Sequence, residues 1–246
     1  MLFQTTDPKL QSGEPPVPET QPEGVLISPD TRRENRIPRN QARTKKWPVL
    51  DAGGPPDDLN LKNLSDWRLN LFGLVEEPLT FTWEDFQKLP RMRVFADMHC
   101  VTRWSRLGNI WEGVSTREVL SRIKLKSDAK FVMVHAYDKG FSFAGGRTNW
   151  TTNLPLEWFL DEDCLFADTH DGLPISLEHG GPLRLVVPRL YAWKSAKWVS
   201  GVEFRADDAP GFWERGGYHM LGDPWKEQRY RFSEEEDEDD DAATSI

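Results

Sequence analysis

Hydrophobic and polar residues alternate in several short stretches between residues 67 and 204, as they do in strands with one buried face. In WRLNLFGLV, Trp67, Leu69 and Leu71 lie on one side of such a strand. A second strand is predicted over 93–99 and leads directly into Cys100. Further strands are predicted over 130–136, 183–187 and 197–204.

Short helices are predicted where a residue that can cap a helix precedes an apolar segment. Thr82 is the expected N-cap of one helix, with Asp85 three residues on. Ser115 and Glu118 form a capping box at the start of a second helix, and a third covers 156–160. Short strands and helices are mixed along the chain, with long loops and without internal repeats. This pattern indicates one α+β domain with a mixed sheet.

The composition changes at both ends of the chain. Residues 1–30 are rich in Pro, Gln, Glu and Thr and predict a flexible lead-in. The folded domain is expected to cover 31–232. The remaining segment, 233–246, contains eight consecutive carboxylates from Glu234 to Asp241 and predicts a disordered acidic tail.

Composition and charge exclude several classes of protein. The net charge of −9 argues against nucleic acid as a partner, because phosphate backbones require a basic surface. The two cysteines, 64 residues apart, do not suggest a disulfide framework. No stretch approaches the roughly 20 apolar residues of a membrane span. The first residues lack the features of an export signal, so we expect a cytoplasmic protein.

Cys100 is the first candidate for chemistry, because a thiolate is both a soft metal ligand and a nucleophile. It precedes a polar, loop-like stretch, VTRWSRLGN. Arg103 and Arg106 in that stretch are expected to lower the pKa of the thiol. A buried structural cysteine is the alternative. Zinc is not indicated, because His99 and Cys100 lack further ligands at zinc-site spacing.

A second candidate cluster lies in HGGPLRLVVPRLYAWKSAKW, residues 179–198. Two glycines allow a ligand to approach the backbone closely. Arg184, Ser195 and Lys197 follow them and suit a phosphate or another bulky anion. Solvated surface charges would explain the same pattern equally well.

The segments MHCVTRWSRLGNIWEGV and HGGPLRLVVPRLYAWKSAKWVSGVEF together resemble the signature of the sulfite-oxidase-type molybdopterin-dependent oxidoreductases. The likeness is to the small, haem-free prokaryotic branch of that family and covers roughly residues 35 to 230. It implies a single domain with the sulfite-oxidase-like molybdopterin-binding fold, short helices and long loops.

The resemblance also implies roles for individual residues. Cys100 matches the family's single protein ligand to molybdenum. The positions implied to hold the pterin and its phosphate are Arg39, Asn40, His99, Cys100, His179, Arg184, Ser195 and Lys197. Gln41 departs from the family's Arg-Asn-His element. Catalytic roles are implied for Cys100, Arg103, Arg106 and Tyr218, the last resembling the tyrosine near the oxo group in sulfite oxidases.

The function implied is two-electron oxygen-atom transfer to or from a small sulfur- or nitrogen-containing substrate. The cofactor would be molybdenum-molybdopterin, and an unidentified electron donor or acceptor would complete the reaction. The metal loop, Cys-Val-Thr-Arg-Trp, departs from that of sulfite oxidases, and the family's C-terminal dimerisation domain is not expected. Sulfite oxidation and S- or N-oxide reduction therefore both stay open.

Two other hypotheses remain at this point. The first is a metal-free enzyme with Cys100 as nucleophile and His99 or His135 as base. The second is a non-catalytic module that binds a pterin or another anion, with the acidic tail recruiting a partner.

Overall fold

The computed structural model describes residues 23–50, 54–57, 59–141 and 147–232. Within these residues the first six strands are β1 (Val25–Ile27), β2 (Ala42–Arg43), β3 (Arg68–Gly73), β4 (Leu79–Thr82), β5 (Met92–Cys100) and β6 (Trp104–Ser115). The other six are β7 (Phe131–Phe141), β8 (Arg147–Pro155), β9 (Leu165–His170), β10 (Leu173–Pro174), β11 (Arg184–Val186) and β12 (Val199–Arg205). The α-helices are α1 (Trp83–Gln87), α2 (Thr116–Leu120), α3 (Leu156–Phe159) and α4 (Phe212–Arg215).

The strands form two mixed sheets. The seven-stranded sheet has the order β1-β5-β6-β9-β10, with β11 paired to β9 and β2 paired to β6. The five-stranded sheet has the order β4-β3-β12-β7-β8. Three pairs are parallel, namely β1 with β5, β2 with β6 and β3 with β12. The predicted fold class, mixed sheets with short helices, is confirmed.

Local sequence signals account for several of these elements. Trp67, Leu69 and Leu71 are all buried along β3, as their alternation predicts. The side chain of Thr82 accepts a hydrogen bond from the Asp85 amide at the start of α1. Ser115 caps α2 in the same way, by accepting a hydrogen bond from the Glu118 amide.

The stretch after Cys100 was predicted as a loop, and this prediction was wrong. The chain turns within 101–103 and returns as β6, which pairs with β5 from Trp104 onward. The polar residues that suggested a loop, Arg106 and Asn109, are buried and hydrogen-bonded to each other. A strand can carry buried polar residues when they satisfy one another, and hydropathy alone does not reveal this.

The flexible lead-in was predicted to cover residues 1–30, but the first strand already begins at Val25. Val25–Ile27 forms β1, parallel to the first part of β5. The apolar side chains of Val25 and Ile27 are buried against Phe95, which makes the segment part of the fold. Residues 1–22 and the predicted acidic tail, 233–246, lie outside the described residues.

Two of the three hydrophobic clusters in the described residues make up most of the core. The larger cluster lies mainly on the five-stranded sheet and contains Trp67, Trp198 and Phe204. The smaller cluster is built on β5 and β6 and contains Cys100 and Trp111. Cys100 therefore lies in an aromatic part of the interior. In the part of the chain that the structure describes, no helix is both long enough and apolar enough to span a membrane.

A buried carboxyl ties the first strand to the rest of the domain. The Ser28 hydroxyl donates a hydrogen bond of 2.6 Å to Oδ2 of Asp163, which is 4% exposed. Burial raises the pKa of Asp163 to about 6, compared with an ordinary value of 3.8. The fold therefore favours the protonated acid, and this contribution to stability is lost as the pH rises through 6.

Asp163→Asn should increase the free energy of unfolding at pH 7.5, because the amide stays neutral where the carboxyl ionises. We expect a gain on the order of 2 kcal/mol that disappears near pH 4. Urea unfolding at a series of pH values measures it. Asp66→Asn, which changes an exposed carboxyl, is the control and should show no gain. Equal stability of Asp163→Asn and the wild type at pH 7.5 would contradict this account.

Candidate active site and cofactor cavity

Cys100 is the last residue of β5, at the turn that leads into β6. The Arg103 amide donates a hydrogen bond of 3.0 Å to the Cys100 carbonyl and closes the turn. Arg103 has φ 69°, a left-handed conformation that such a tight reversal requires. The Cys100 side chain is 7% exposed and faces a cavity of about 190 Å³.

The thiol is surrounded by few polar groups. Burial raises the pKa of Cys100, and this effect is larger than any other. The Thr102 hydroxyl donates a hydrogen bond of 3.2 Å to Sγ and acts in the opposite direction, as does the charge of Arg229. The predicted lowering of the thiol pKa by Arg103 and Arg106 is therefore wrong.

Neither of those two arginines lines the cavity. Arg103 is exposed at the turn. Arg106 is buried within β6, where Nη2 lies 2.7 Å from the Asp171 carboxylate and Nη1 lies 3.0 Å from Nε2 of His170. Its charge is already paired inside the protein, so it does not face a substrate in this arrangement.

Aromatic and apolar side chains make up most of the cavity wall. The lining residues are Trp47, Pro48, Leu50, Met98, Cys100, Val101, Thr102, Trp104, Trp150, Arg184, Ala192, Trp193, Ser195, Lys197, Trp198, Trp213 and Tyr218. Among these described residues, Arg184 and Lys197 are the charged ones. Charge in the cavity is therefore confined to the segment that the sequence singled out for anion binding.

Arg184 is a buried cation next to the cavity. Nη1 and Nη2 donate to the carbonyls of His179 and Ser195, at 2.8 and 3.2 Å. Its Nε makes no hydrogen bond, and among the described residues no carboxylate forms an ion pair with it. Burial lowers the pKa of Arg184 to about 9, which shows how costly this charge is without a counter-ion. An anionic group bound in the cavity would supply one.

The other residues of the predicted anion cluster surround Arg184. Ser195 lines the cavity and accepts a hydrogen bond from the Val187 amide. Lys197 also lines it, with Nζ donating to the Glu178 carbonyl at 2.7 Å. His179 lies one layer behind and is held by the carbonyl of Trp47, on whose ring it stacks at 4.0 Å.

Gly180 allows the backbone to pack closely against the side chain of Lys197. It has φ 104°, and a Cβ there would lie 2.8 Å from the side chain of Lys197. Only glycine combines this backbone conformation with so close a neighbour. The double glycine in the sequence therefore serves packing within the cluster.

Tyr218 lies at the cavity, as the sequence predicted. Its ring contacts Trp193 and Trp213, with centroids 5.3 and 5.0 Å apart. Burial raises the pKa of Tyr218, and the neighbouring Tyr230 and Cys100 raise it further. The phenol therefore stays protonated at neutral pH and can donate a hydrogen bond into the cavity.

Arg39, Asn40 and His99 do not reach the cavity. Arg39 and Asn40 lie at the surface and interact with Glu227. His99 lies between Met98 and Cys100 on β5, so its side chain faces the opposite side of the sheet. There Nδ1 lies 2.9 Å from the Ser105 hydroxyl, and burial lowers the pKa of His99 to about 4.

The sequence did not identify several wall residues, above all Trp47, Trp150 and Trp193. Trp47 lies in a loop, Trp150 within β8 and Trp193 in a short 3-10 helix, and no periodic pattern connects them. The high tryptophan content, 11 of 246 residues, is compatible with a buried aromatic pocket but does not show where such a pocket lies.

A buried ion pair holds one wall of the cavity. Lys194, with a fully buried side chain, lies 2.6 Å from the Glu214 carboxylate. The same carboxylate accepts a hydrogen bond of 2.9 Å from the indole of Trp193. Lys194 also donates to the side chain of Asn153 at 2.8 Å. The position of Trp193 thus depends on a charge pair that solvent does not reach.

A thiol and an uncompensated guanidinium at one cavity suit an anionic, metal-carrying cofactor. Residues 54–213 match the family described as the oxidoreductase molybdopterin binding domain. The chain therefore belongs to this family, and it is a molybdopterin-dependent oxidoreductase of the sulfite-oxidase type that binds molybdenum-molybdopterin.

Several curated relatives support the assignment. The uncharacterized oxidoreductase YuiH of Bacillus subtilis is 44% identical over 198 residues, which are 80% of this chain and 93% of that protein. The protein-methionine-sulfoxide reductase catalytic subunit MsrP of Campylobacter jejuni is 29% identical over 62% of this chain and 53% of its own length. Sulfite oxidase of Arabidopsis thaliana is 26% identical over 65% of this chain and 47% of its own.

The chain thus spans about half the length of the last two proteins. Among solved structures, the sulfane dehydrogenase SoxCD of Paracoccus pantotrophus aligns with a TM-score of 0.53 and 24% identity. The alignment covers 65% of this chain and 42% of that one and shows a shared fold.

Glu214→Gln should destabilise the protein by about 3 kcal/mol, because it leaves the buried ammonium of Lys194 without its counter-charge. Trp193 should also become more mobile, visible as a shift of the tryptophan fluorescence. Glu112→Gln, which affects a half-exposed pair with Arg93, should cost less than about 1 kcal/mol. Similar losses of unfolding free energy in both variants would refute a special role for the buried pair.

Proposed function

We propose that Cys100 is the protein ligand of molybdenum in this chain. Among the described residues it is the one cysteine that faces the cavity, since Cys164 is fully buried elsewhere and donates to the Trp158 carbonyl. A thiolate is the soft ligand that a molybdenum-dithiolene centre takes from a protein. The Thr102 hydroxyl, which already contacts Sγ, would hold the bound thiolate in place.

The pterin and its phosphate would lie along the 179–198 segment. Arg184 supports this assignment most directly, because it is buried next to the cavity and forms no ion pair with a described carboxylate. Ser195 and Lys197 would supply further donors, and His179 would position Arg184 through its carbonyl. The structure gives no support for contacts from Arg39, Asn40 or His99, which lie away from the cavity.

When bound, the cofactor supplies the two-electron oxygen-atom chemistry. The protein's part is to exclude water, orient the substrate and donate hydrogen bonds. We assign Tyr218 the role of donor to the substrate oxygen, since its phenol is protonated and exposed to the cavity. Trp193 and Trp213 fix the ring of Tyr218 by contacts on two sides.

We infer the substrate class from the described wall residues that flank Cys100, which include no charged side chain. They are Met98, Val101 and Trp104, which are apolar or aromatic, and Thr102, whose hydroxyl contacts Sγ. Arg106, which was expected to act in catalysis, is paired with Asp171. A neutral S-oxide or N-oxide fits such a wall better than sulfite, because an anion would lose its hydration without compensation. A relative named as a methionine-sulfoxide reductase supports the same direction of reaction.

A metal-free cysteine enzyme is not favoured. Its proposed bases lie elsewhere, with His99 behind the sheet and His135 3.1 Å from Glu203 on the other sheet. The electron donor and the cytoplasmic location stay predictions from the sequence.

Cys100→Ser should lose nearly all activity while the fold is kept, because a hydroxyl is a poor substitute for a thiolate at molybdenum. Activity is measured as sulfoxide-dependent oxidation of a reduced viologen dye, with molybdenum content determined by elemental mass spectrometry. Cys164→Ser is the matched control and should keep the activity of the folded fraction. Full activity of Cys100→Ser would refute the ligand assignment. Sulfite oxidation faster than sulfoxide reduction in the wild type would contradict the substrate class.

Arg184→Met is expected to act in opposite directions on the two forms of the protein. The cofactor-free chain should gain on the order of 1 kcal/mol, because a buried unpaired charge is removed. Protein from a host that makes the cofactor should contain much less molybdenum per chain. Arg189→Met, at a partly exposed residue paired with Asp161, serves as the control. A full equivalent of molybdenum in Arg184→Met would exclude Arg184 as the main anchor.

A further inference from the structure

The turn that carries Cys100 is held from outside by two distant parts of the chain. The Cys100 carbonyl accepts a hydrogen bond of 3.0 Å from Nε2 of Gln41. The next carbonyl, that of Val101, accepts one of 2.6 Å from Nη1 of Arg229. Both groups come from outside the β5–β6 hairpin, so the hairpin alone does not fix this turn.

Glu227 connects these two supports. Its carboxylate oxygens accept hydrogen bonds of 2.9 and 2.8 Å from Nδ2 of Asn40. Nε of Arg229 lies 3.5 Å from the same carboxylate, and Nε of Arg39 lies 3.7 Å from it. The segments 39–41 and 227–229 therefore form one unit, which we call the brace.

The brace contacts Val101 through a charge-assisted hydrogen bond in a buried part of the protein. Arg229 is 5% exposed, and its guanidinium lies 5.0 Å from the ring centre of Tyr191. A hydrogen bond from a cation in such a dry place is stronger than one at the surface. The Val101 carbonyl is thereby held in one orientation, directly after the residue that faces the cavity.

The brace lies outside the residues that the family match covers. The family match covers residues 54–213, whereas the brace uses 39–41 and 227–229. The matched part contains Cys100 and the anion cluster, but not the groups that hold the Cys100 turn from outside.

We propose that Gln41, Glu227 and Arg229 are positioning residues that fix the Cys100 turn and thereby the direction of the thiolate. The inference rests on the proposed role of Cys100 as the molybdenum ligand. Groups that orient a metal ligand without touching the metal commonly tune affinity and electronic structure. Cys100 ends a strand, where backbone mobility would otherwise spread the thiolate over several positions.

The test uses the full-length holoenzyme with Glu227→Gln, Arg229→Gln, Arg229→Lys and Gln41→Leu. Glu203→Gln is the matched control, since Glu203 and Glu227 are 24% and 26% exposed and each pairs with an arginine. Hydrogen–deuterium exchange of the peptide covering 98–104 measures the mobility of the turn. The electron paramagnetic resonance spectrum of the one-electron-reduced molybdenum reports the geometry around the metal.

We expect about tenfold faster exchange of the Arg103 amide in Arg229→Gln, which loses a charge-assisted hydrogen bond, and a smaller change in Glu227→Gln. Arg229→Gln and Glu227→Gln should both broaden or shift the molybdenum spectrum. Arg229→Lys should give a spectrum close to that of the wild type, and Glu203→Gln should give the wild-type spectrum. Unchanged spectra in folded Glu227→Gln, Arg229→Gln and Gln41→Leu would overturn the proposal, even where stability falls.

Cys100→Ser in the same series separates this proposal from the one on which it rests. A wild-type molybdenum spectrum in Cys100→Ser would disprove the ligand assignment, and with it the effect of the brace on the metal. If Cys100→Ser loses that spectrum while the brace variants keep it, the ligand assignment is supported and the positioning role of the brace is refuted.

Discussion

The proposed function of the cavity depends on the position of one turn, between β5 and β6, because this turn carries Cys100. The turn presents the thiol of Cys100 to a mostly apolar cavity. Cys100 is the last residue of β5, so the strand supports it on one side only. The hairpin provides the closing bond from the Arg103 amide to the Cys100 carbonyl, and the brace provides the other two. Because the carbonyls of Cys100 and Val101 are both hydrogen-bonded, the thiol has little freedom. A rigid support of this kind is what a metal ligand needs to hold one geometry.

Charge inside the protein is distributed unevenly around this thiol. Arg106, Lys194 and Arg229 are buried but have carboxylates close by, in Asp171, Glu214 and Glu227. Arg184 has none among the described residues, and burial lowers its pKa to about 9. The difference separates the structural cations from Arg184, which we propose as the anchor of the anionic cofactor. The described wall residues that flank Cys100 carry no charge, which supports the proposal of a neutral substrate.

The sequence was sufficient to predict the fold class and six residues at or next to the cavity. Five of them line it, namely Cys100, Arg184, Ser195, Lys197 and Tyr218, and the sixth, His179, contacts Arg184. These residues lie in local motifs whose spacing can be recognised. Arg103, Arg106 and His99 were predicted to act at the site but do not line the cavity, because the turn and the strand direct neighbouring side chains to different sides. The wall tryptophans and the brace could not be predicted. Asn40 and Glu227, for example, are 187 positions apart, and no local pattern reports such a contact.

The most direct test of the account is X-ray absorption at the molybdenum edge of the holoenzyme, compared with Cys100→Ala. If Cys100 is the protein ligand, the wild type should show one more sulfur neighbour at molybdenum than the variant, with the dithiolene sulfurs unchanged. The comparison needs no substrate and no electron partner. The same number of sulfur neighbours in both proteins would contradict the central claim and require another protein ligand.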